Sequence, residues 1–207
     1  MQTLVLATSN PGKTAEIVTV LGFYLDVGRL RLLNSSDFGI GSDEIEENGS
    51  TFEENAIIKA VETARRTGYV AIADDSGLCV DALGGEPGIM SARWAGTEAS
   101  DQDRVALLLY RLKDVEPDRR TAQFVCAAAA ADPQGVVHVV RGVCEGEIAV
   151  APRGTGGFGY DPIFRIPSLA RTMAELAPYE KNRVSHRAIA LGLAAPHLRN
   201  LLSPPVV

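Results

Sequence analysis

Cysteine, aromatic residues and basic charge are all scarce in this chain. Of its 207 residues three are cysteine, 6% are aromatic and 22% are charged, and the net charge is −6. Cys79, Cys126 and Cys144 are odd in number and have no C-x-x-C spacing, which favours buried reduced thiols over disulfides or a zinc site. The acidic balance argues against a nucleic-acid partner, because nonspecific nucleic-acid binding normally needs a basic face. Any phosphate that this chain binds must therefore be met by a local group of cations.

Long hydrophobic runs are also missing from the sequence. No apolar run approaches the roughly 20 residues that a membrane span needs, and no basic segment with an apolar core opens the chain. We therefore expect no membrane partner and a cytoplasmic, reducing location. No repeat or low-complexity linker interrupts the sequence, and its length suits a single domain over residues 1–207.

Hydrophobic periodicity and turn signals predict an α/β fold, with a mixed central sheet and flanking helices. The predicted strands cover residues 3–7, 69–73, 121–131 and 136–150, and the last two form a hairpin across Asp132-Pro133-Gln134-Gly135. Four helices are predicted. The first covers residues 14–21, and the second runs from a capping box at residues 50–53 to Gly68, which ends it. The third covers residues 105–112 after a start signal at 100–103, and the last covers residues 185–202. Pro196 is expected to break or kink the last helix.

The most informative segment is residues 73–82, A-D-D-S-G-L-C-V-D-A. It places two adjacent carboxylates, Asp74 and Asp75, after a short apolar strand, and acidic pairs at the end of such a strand often hold a hard cation. Strand side chains alternate between faces, so the two should point in different directions unless the strand ends between them. One is then a metal ligand and the other a support or base. The alternative is that Asp75-Ser76-Gly77 is only a turn.

A second candidate site is the loop T-S-N-P-G-K, residues 8–13, between the first strand and the first helix. A helix N-terminus favours an anion, Asn10 can cap the helix, and Gly12 allows a ligand to approach the backbone. Lys13 adds a full positive charge, and Glu16 one turn later can orient it. The loop has no Walker A spacing, and the alternative is a plain helix start with a solvated lysine.

Two further segments carry chemically useful side chains. Residues 153–164, R-G-T-G-G-F-G-Y-D-P-I-F, combine four glycines with two aromatic residues and one aspartate, which suits a planar ring gripped by a loop. The alternative is a surface turn whose aromatic residues return to the core. Residues 180–187, E-K-N-R-V-S-H-R, bring cations to the start of the last helix, where they are misplaced unless an anion is near. Taken singly, His186 and Arg187 are more often structural or surface residues.

These four motifs together resemble the inosine/xanthosine triphosphate pyrophosphatase family. T-S-N-P-G-K-x-x-E, D-D-S-G-L-x-V-D-A-L-G-G-x-P-G-I-x-S-A-R, G-T-G-G-F-G-Y-D-P-I-F and E-K-N-x-x-S-H-R follow the family's order and spacing over nearly the full chain. The resemblance implies an elongated, two-lobed α/β chain with its active site in the cleft between the lobes. It also implies a homodimeric, Mg²⁺-dependent hydrolase that converts ITP, dITP or XTP to the nucleoside monophosphate and pyrophosphate and so clears the nucleotide pool.

The resemblance also implies roles for particular residues. Asp75 would be the catalytic acceptor and a metal ligand, with Asp74 as the alternative acceptor and Lys13 assisting at the phosphates. The acidic segment before the second helix would supply the other metal ligand, Glu46, with Glu47 as the alternative. The substrate would contact Thr8, Ser9, Asn10, Pro11, Gly12, Lys13, Ser76, Phe158, Gly159, Tyr160, Asp161, Lys181, His186 and Arg187.

Two other functions remain compatible with these motifs. A nucleotide sensor would keep the phosphate loop and the ring-binding loop without turnover, although clustered carboxylates beside a polyanion are of little use to a pure binder. A related pyrophosphatase of broader specificity would act on ordinary or modified pyrimidine triphosphates. Release of pyrophosphate in the presence of Mg²⁺ separates the sensor from the enzymes.

Overall fold

The computed structural model describes residues 1–41 and 44–203, and their secondary structure is of the predicted α/β class. The described residues form seven strands and five α-helices, in the order β1 (Gln2–Leu6), α1 (Pro11–Leu21), β2 (Leu30–Asn34), α2 (Phe52–Thr67), β3 (Val70–Val80), α3 (Asp101–Arg111), β4 (Thr121–Ala131), β5 (Val137–Ile148), β6 (Phe164–Ile166), β7 (Arg171–Thr172), α4 (Pro178–Val184) and α5 (His186–Leu202).

The strands form one mixed sheet in the order β2-β1-β3-β4-β5-β6-β7. β1 pairs in parallel with β2 and β3, whereas β6 pairs antiparallel with β5 and β7. β4 and β5 are neighbours joined by a short turn, in which the Asp132 carboxylate accepts from the backbone of Gln134 and Val136. A parallel pair would need a far longer crossover, so the predicted hairpin is confirmed.

By its contacts the chain divides into two compact units. Unit 1 comprises residues 1–75, 126–142 and 186–207, and unit 2 comprises residues 76–125 and 143–185. The placement of an active site in a cleft, and the assignment of residues 1–207 to a single domain, stay predictions.

The core of unit 1 lies between the sheet and the pair α1 and α5. Leu4 and Leu6 of β1 and Ile72 of β3 are fully or almost fully buried there, against Ile17 of α1 and Leu191 of α5. Successive strand residues alternate between faces, so every second residue of these strands faces the two helices. Asp74, two residues after Ile72, therefore points toward α1 and α5.

Gly142 of β5 determines how closely α5 approaches the sheet. A Cβ atom at this position would overlap the carbonyl oxygen of His186 and the backbone nitrogen of Ala190. The absence of a side chain thus allows the first turn of α5 to touch β5 directly, and that turn carries Arg187.

The core of unit 2 is built on α3 and on aromatic residues of the sheet. Leu108 and Leu112 are fully buried, and the rings of Phe124 and Phe164 lie 4.4 Å apart between centroids. The buried Arg120 donates to the carbonyl oxygen of Leu112 at 2.8 Å and so satisfies a carbonyl at the end of α3. Unit 2 therefore has a hydrophobic core of its own.

Several predicted helix ends are confirmed by their capping contacts. Asn10 Oδ1 accepts from the backbone of Gly12 at 2.9 Å and Lys13 at 3.2 Å, and Ser100 and Asp103 form a reciprocal capping box at α3. Gly68 ends α2 with a φ of 72°. The cap of α2 lies one residue later than predicted, because the side chain of Thr51, and not that of Ser50, accepts from the third helical residue.

The structure differs from the sequence predictions at three points. β3 does not end at Ala73 but continues to Val80, so Asp75-Ser76-Gly77 is strand and not a turn. The predicted start of the last helix near Ser185 is confirmed, since α5 begins at His186, but Lys181 lies on a separate short helix, α4. α5 continues through Pro196, so the predicted break is wrong, whereas a kink at Pro196 stays a prediction.

The three cysteines, Cys79, Cys126 and Cys144, are free, as predicted; Cys126 and Cys144 are buried, whereas Cys79 is only half-buried and not buried as expected. Within the described part of the chain, no helix is long and apolar enough to cross a membrane.

Candidate active site

Asp74 and Asp75 lie in the middle of β3 and face opposite sides of the sheet, as strand alternation predicts. Asp74 faces α1 and α5, and its side chain has no exposed surface. Asp75 faces α2, and 13% of its side chain is exposed. Each carboxylate therefore meets a different set of partners within unit 1.

Asp74 is held by two cations from different helices. Its Oδ2 lies 3.1 Å from Lys13 Nζ of α1 and 3.0 Å from Arg187 Nη2 of α5. Burial by itself would raise the pKa of Asp74, but Arg187, Lys13 and Lys59 outweigh burial and hold that pKa far below its usual range. Asp74 is thus negatively charged at neutral pH.

Arg187 is almost fully buried between two carboxylates. Besides Asp74 it contacts Glu16 of α1, so the cation at the start of α5 has anionic partners within the protein itself. A bound ligand is therefore not required to balance this cation. Glu16 pairs with Arg187 and Lys13 pairs with Asp74, and the orientation of Lys13 by Glu16 stays a prediction.

Asp75 is held by two side chains of α2 that lie one turn apart. Its Oδ1 is 3.3 Å from Lys59 Nζ, and its Oδ2 accepts from Asn55 Nδ2 at 3.3 Å. Burial raises the pKa of Asp75, and the opposing attraction of Lys59 and Lys13 does not cancel this effect. Lys59 also lies 3.0 Å from Glu47 Oε2, so its ammonium group sits between two carboxylates.

The two carboxylates that contact Lys59 are suitable ligands for a hard divalent cation. Mg²⁺ is commonly held by one or two carboxylates, with water and substrate phosphates completing its six ligands. Asp75 and Glu47 provide such a pair, and within residues 1–41 and 44–203 no group of three His, Cys, Asp or Glu side chains could hold a metal. Glu46 is exposed and lines a groove with Ile58 and Arg66.

Lys59 and Asn55 are the site residues that sequence reasoning missed. The buried side of α2 follows helical spacing through Phe52, Ala56 and Ala60, and Asn55 lies on the same side. A polar residue on a buried helix face, with a lysine one turn later, was the available signal. Lys59 and Asn55 are separated from Asp75 by 16 and 20 residues, so only the fold shows that they meet it.

The predicted phosphate loop of unit 1 is an ordinary capped helix start in its backbone contacts. The side chain of Asn10 accepts from the backbone of Gly12 and Lys13, and Asn10 in turn donates its own N–H to Thr8 Oγ1 at 3.2 Å. Ser9 and Pro11 are exposed. An anion at this loop would therefore compete with Asn10 for the first backbone N–H groups of α1. The Lys13 ammonium is more accessible to an anion, because 19% of the Lys13 side chain is exposed.

The glycine-rich segment of unit 2 is organised around a buried Asp161. This carboxylate accepts from Lys181 Nζ at 2.6 Å and from the backbone of Phe158 at 2.9 Å. The Lys181 ammonium also lies 4.7 Å from the centroid of the Phe158 ring, a cation–π contact. Gly157 has a φ of 72°, and a Cβ there would collide with the Asp161 carboxylate, so this turn requires glycine.

The two aromatic residues of this segment have different environments. Tyr160 is buried in the core of unit 2, where its hydroxyl donates to the carbonyl oxygen of Ser91 at 3.0 Å. Phe158 is half-buried, so it is the better placed of the two to stack on a planar ring. Gly159 donates its N–H to Asp101 of α3 at 2.6 Å, which fixes the loop from the other side. Ser76, the first residue of unit 2, follows Asp75 in β3 and is half-buried.

Comparison with known proteins yields full-length matches. The model of the Ham1 family matches residues 4–197. A dITP/XTP pyrophosphatase of Streptomyces coelicolor is 47% identical over 202 residues, which are 98% of this chain and 100% of the relative. One of Yersinia pestis is 50% identical over 205 residues, or 97% and 100% of the two chains. A solved HAM1 protein from Coxiella burnetii superposes with a TM-score of 0.85 at 44% identity and covers 97% of this chain and 100% of its own.

Proposed function

The chain belongs to the Ham1 family, and from that premise we propose that it hydrolyses deaminated purine nucleoside triphosphates, namely dITP, XTP and ITP, to the monophosphate and pyrophosphate. The relatives named dITP/XTP pyrophosphatase match it over their whole length. The observation that carries the proposal is the pair Asp74 and Asp75, each neutralised by its own lysine within one charge cluster. Such a cluster suits the reaction of a polyanionic substrate at a metal.

A pyrophosphatase of this family requires a divalent metal, and we propose Mg²⁺. Asp75 and Glu47 would hold it, since both carboxylates already contact one cation, Lys59. When bound, the ion would offset phosphate charge and lower the pKa of a coordinated water. The contact of Glu47 with Lys59 favours it over Glu46 as the second ligand.

Asp75 is the proposed proton acceptor, and Asp74 is the proposed fixed charge behind it. The Asp74 side chain has no exposed surface, so it has no access to an attacking water, whereas Asp75 keeps some exposure and a free lone pair on each oxygen. Arg187 contacts Asp74 and Glu16, so a direct role at the phosphates would need these pairs to exchange. Lys13 is more exposed and is the better placed phosphate donor.

Base recognition is assigned to unit 2. Phe158 would stack on the purine, and Asp161 and Lys181 would keep the glycine-rich loop in the required conformation. Gly159 and Tyr160 would support this loop. Ser76 of β3 and, in unit 1, His186 at the start of α5 are separate proposed substrate contacts. Discrimination would rest on hydrogen bonds to the 6-oxo, N1–H edge, because a site built for one edge rejects analogues lacking it.

The assay that tests this function measures pyrophosphate release from dITP, XTP, ITP, ATP, GTP and dTTP, with Mg²⁺ and with a chelator. We expect metal-dependent release confined to the deaminated purines. Equal rates on all six nucleotides would replace the proposal with a general triphosphate pyrophosphatase. Tight dITP binding without release would replace it with a nucleotide sensor.

Two properties of the whole protein complete the proposal. The family resemblance supports a homodimer, which light scattering on the purified protein tests directly. The free state of all three cysteines supports a reducing, cytoplasmic location.

A further inference from the structure

Asn55 holds Asp75 from one side while it holds a backbone group from the other. Its Nδ2 donates to Asp75 Oδ2 at 3.3 Å, and its Oδ1 accepts from the backbone N–H of Gly49 at 2.8 Å. The residue is 2% exposed, so water does not substitute for either contact. The orientation of the amide is fixed by chemistry: a backbone N–H can only donate, so Oδ1 must face Gly49 and Nδ2 must face Asp75.

Lys59 and Asn55 together fix the orientation of the Asp75 carboxylate. Each oxygen has one donor from α2, Lys59 at Oδ1 and Asn55 at Oδ2. A carboxylate held at both oxygens cannot rotate without breaking a contact. The remaining lone pair on each oxygen therefore points in a fixed direction.

The contact with Gly49 extends this arrangement to the preceding acidic segment. Gly49 lies two residues after Glu47, whose carboxylate contacts Lys59 at 3.0 Å. A Cβ atom at Gly49 would lie 2.7 Å from Asn55 Oδ1 and 2.7 Å from Glu54 Cβ, so only glycine allows this approach. Segment 47–49 and Asp75 are thus tied to α2 by side chains one helical turn apart.

We propose that Asn55 is a positioning residue that sets the separation of the Glu47 and Asp75 carboxylates and thereby the affinity of this pair for a divalent cation. The inference rests on the proposed function insofar as that function gives the two carboxylates a metal to hold. Asn55 itself touches neither metal nor substrate. It acts by orienting one carboxylate and anchoring the segment that carries the other.

The test compares Mn²⁺ binding, measured by calorimetry without nucleotide, in the wild type and three variants. Mn²⁺ serves as the probe because it takes the same oxygen ligands as Mg²⁺. Asn55→Leu keeps similar volume and removes both hydrogen bonds. Gly49→Ala crowds the hydrogen bond between the Gly49 N–H and Asn55 Oδ1 from the Gly49 side, while residue 55 remains asparagine. Thr51→Ala is the matched control, because it removes the N-cap bond to Glu54 at the same helix end without touching Asp75.

We expect Asn55→Leu to weaken Mn²⁺ binding by about 10- to 100-fold, the range found when a group that orients a metal ligand is removed. Gly49→Ala should change the affinity in the same direction. Thr51→Ala should lower the Tm by about 2–4 °C, the equivalent of one lost cap in a chain of this size, while its Mn²⁺ affinity stays within about twofold of wild type. The Mg²⁺ concentration for half-maximal pyrophosphate release should follow the same order.

Wild-type Mn²⁺ affinity in Asn55→Leu would overturn the inference, as would an equal loss in Thr51→Ala or no Mn²⁺ binding by the wild type. If Asn55→Leu does not fold, Gly49→Ala decides the question by the same criterion. The binding measurement contains no nucleotide, so a wild type that binds Mn²⁺ but releases no pyrophosphate from dITP or XTP would contradict the proposed function alone.

Discussion

Replacement of Arg187 by methionine would test the buried charge cluster around Asp74. The guanidinium donates to Asp74 Oδ2 through Nε at 3.2 Å and Nη2 at 3.0 Å, and it also contacts Glu16. Only 2% of its side chain is exposed. Methionine fills much of the same space but leaves two carboxylates without their shared cation.

The expected cost follows from what remains around Asp74. Removal of one partner from a buried ion pair costs about 3–5 kcal/mol, because the other charge stays desolvated. Lys13 still contacts Asp74 at 3.1 Å, so we expect the lower end, about 3 kcal/mol. For a chain of this size that loss corresponds to a fall in Tm of about 6–12 °C.

The loss should depend on pH with a definite sign. The pKa of Asp74 is lower in the folded than in the unfolded chain, because the attraction of Arg187 and Lys13 exceeds the effect of burial. Such a group stabilises the fold above its unfolded pKa of about 4, and the stabilisation is lost as the pH falls from there through the folded pKa. In Arg187→Met the folded pKa rises, so the difference from wild type is largest near pH 7 and narrows below about pH 4.

Urea unfolding, followed by circular dichroism near pH 7 and below about pH 4, measures the difference in free energy of unfolding between Arg187→Met and wild type. Arg183→Met, at an exposed position of α4, is the control and should stay within about 0.5 kcal/mol of wild type. In a double-mutant cycle Asp74→Asn removes the stranded charge, so the double variant should be less destabilised than the sum by at least about 1 kcal/mol. A loss below about 1 kcal/mol for Arg187→Met at pH 7, or an additive cycle, would refute the reasoning.

Four further experiments address other parts of the molecule. Asp75→Asn should reduce pyrophosphate release from dITP by about 10²–10⁴-fold while calorimetry still detects dITP binding, and normal turnover would remove Asp75 from its proposed role. Lys13→Ala should raise the KM for dITP by about tenfold or more, because a charged donor to phosphate is lost, and an unchanged KM would contradict that role. Gly142→Ala should lower the free energy of unfolding by about 1–3 kcal/mol, since its Cβ would displace the first turn of α5. A midpoint of urea unfolding equal to that of wild type would contradict the close contact. Burial raises the pKa of Cys126 to about 12 and of Cys144 to about 11, so iodoacetamide at pH 8 should modify neither in the folded protein and both in urea, as mass spectrometry can check.

Elements with strong local signals could be predicted from the sequence. The capping residues Asn10 and Ser100 and the C-terminal Gly68 act on backbone groups within a few residues of themselves, so their effect is visible in a short window. β6 and β7 have three and two residues and carry no detectable periodicity. They exist because the neighbouring strands supply hydrogen-bond partners, which a local pattern does not contain.

The error at β3 has the same origin. Asp75, Ser76 and Gly77 are turn formers by intrinsic preference, yet they continue the strand to Val80. Sheet pairing overrides local preference at a central position, whereas turn preference decides only where no partner strand is present. The sequence thus predicted the location of the carboxylates but not the length of the strand that carries them.

Alternation along that strand explains why adjacent carboxylates have opposite environments. Because Asp74 and Asp75 face different sides, one is neutralised by Lys13 and Arg187 from α1 and α5, and the other by Lys59 from α2. The Arg187 contact joins residues 113 apart in the chain, which no local pattern could have predicted. The pKa of Asp74 is lowered and that of Asp75 is raised. Two neighbouring carboxylates whose pKa values are shifted in opposite directions commonly have separate roles in a site. Here the fully buried Asp74 supplies the charge that holds Lys13 and Arg187 on its own side of the sheet, while Asp75 on the other side keeps the exposure that a reacting group needs.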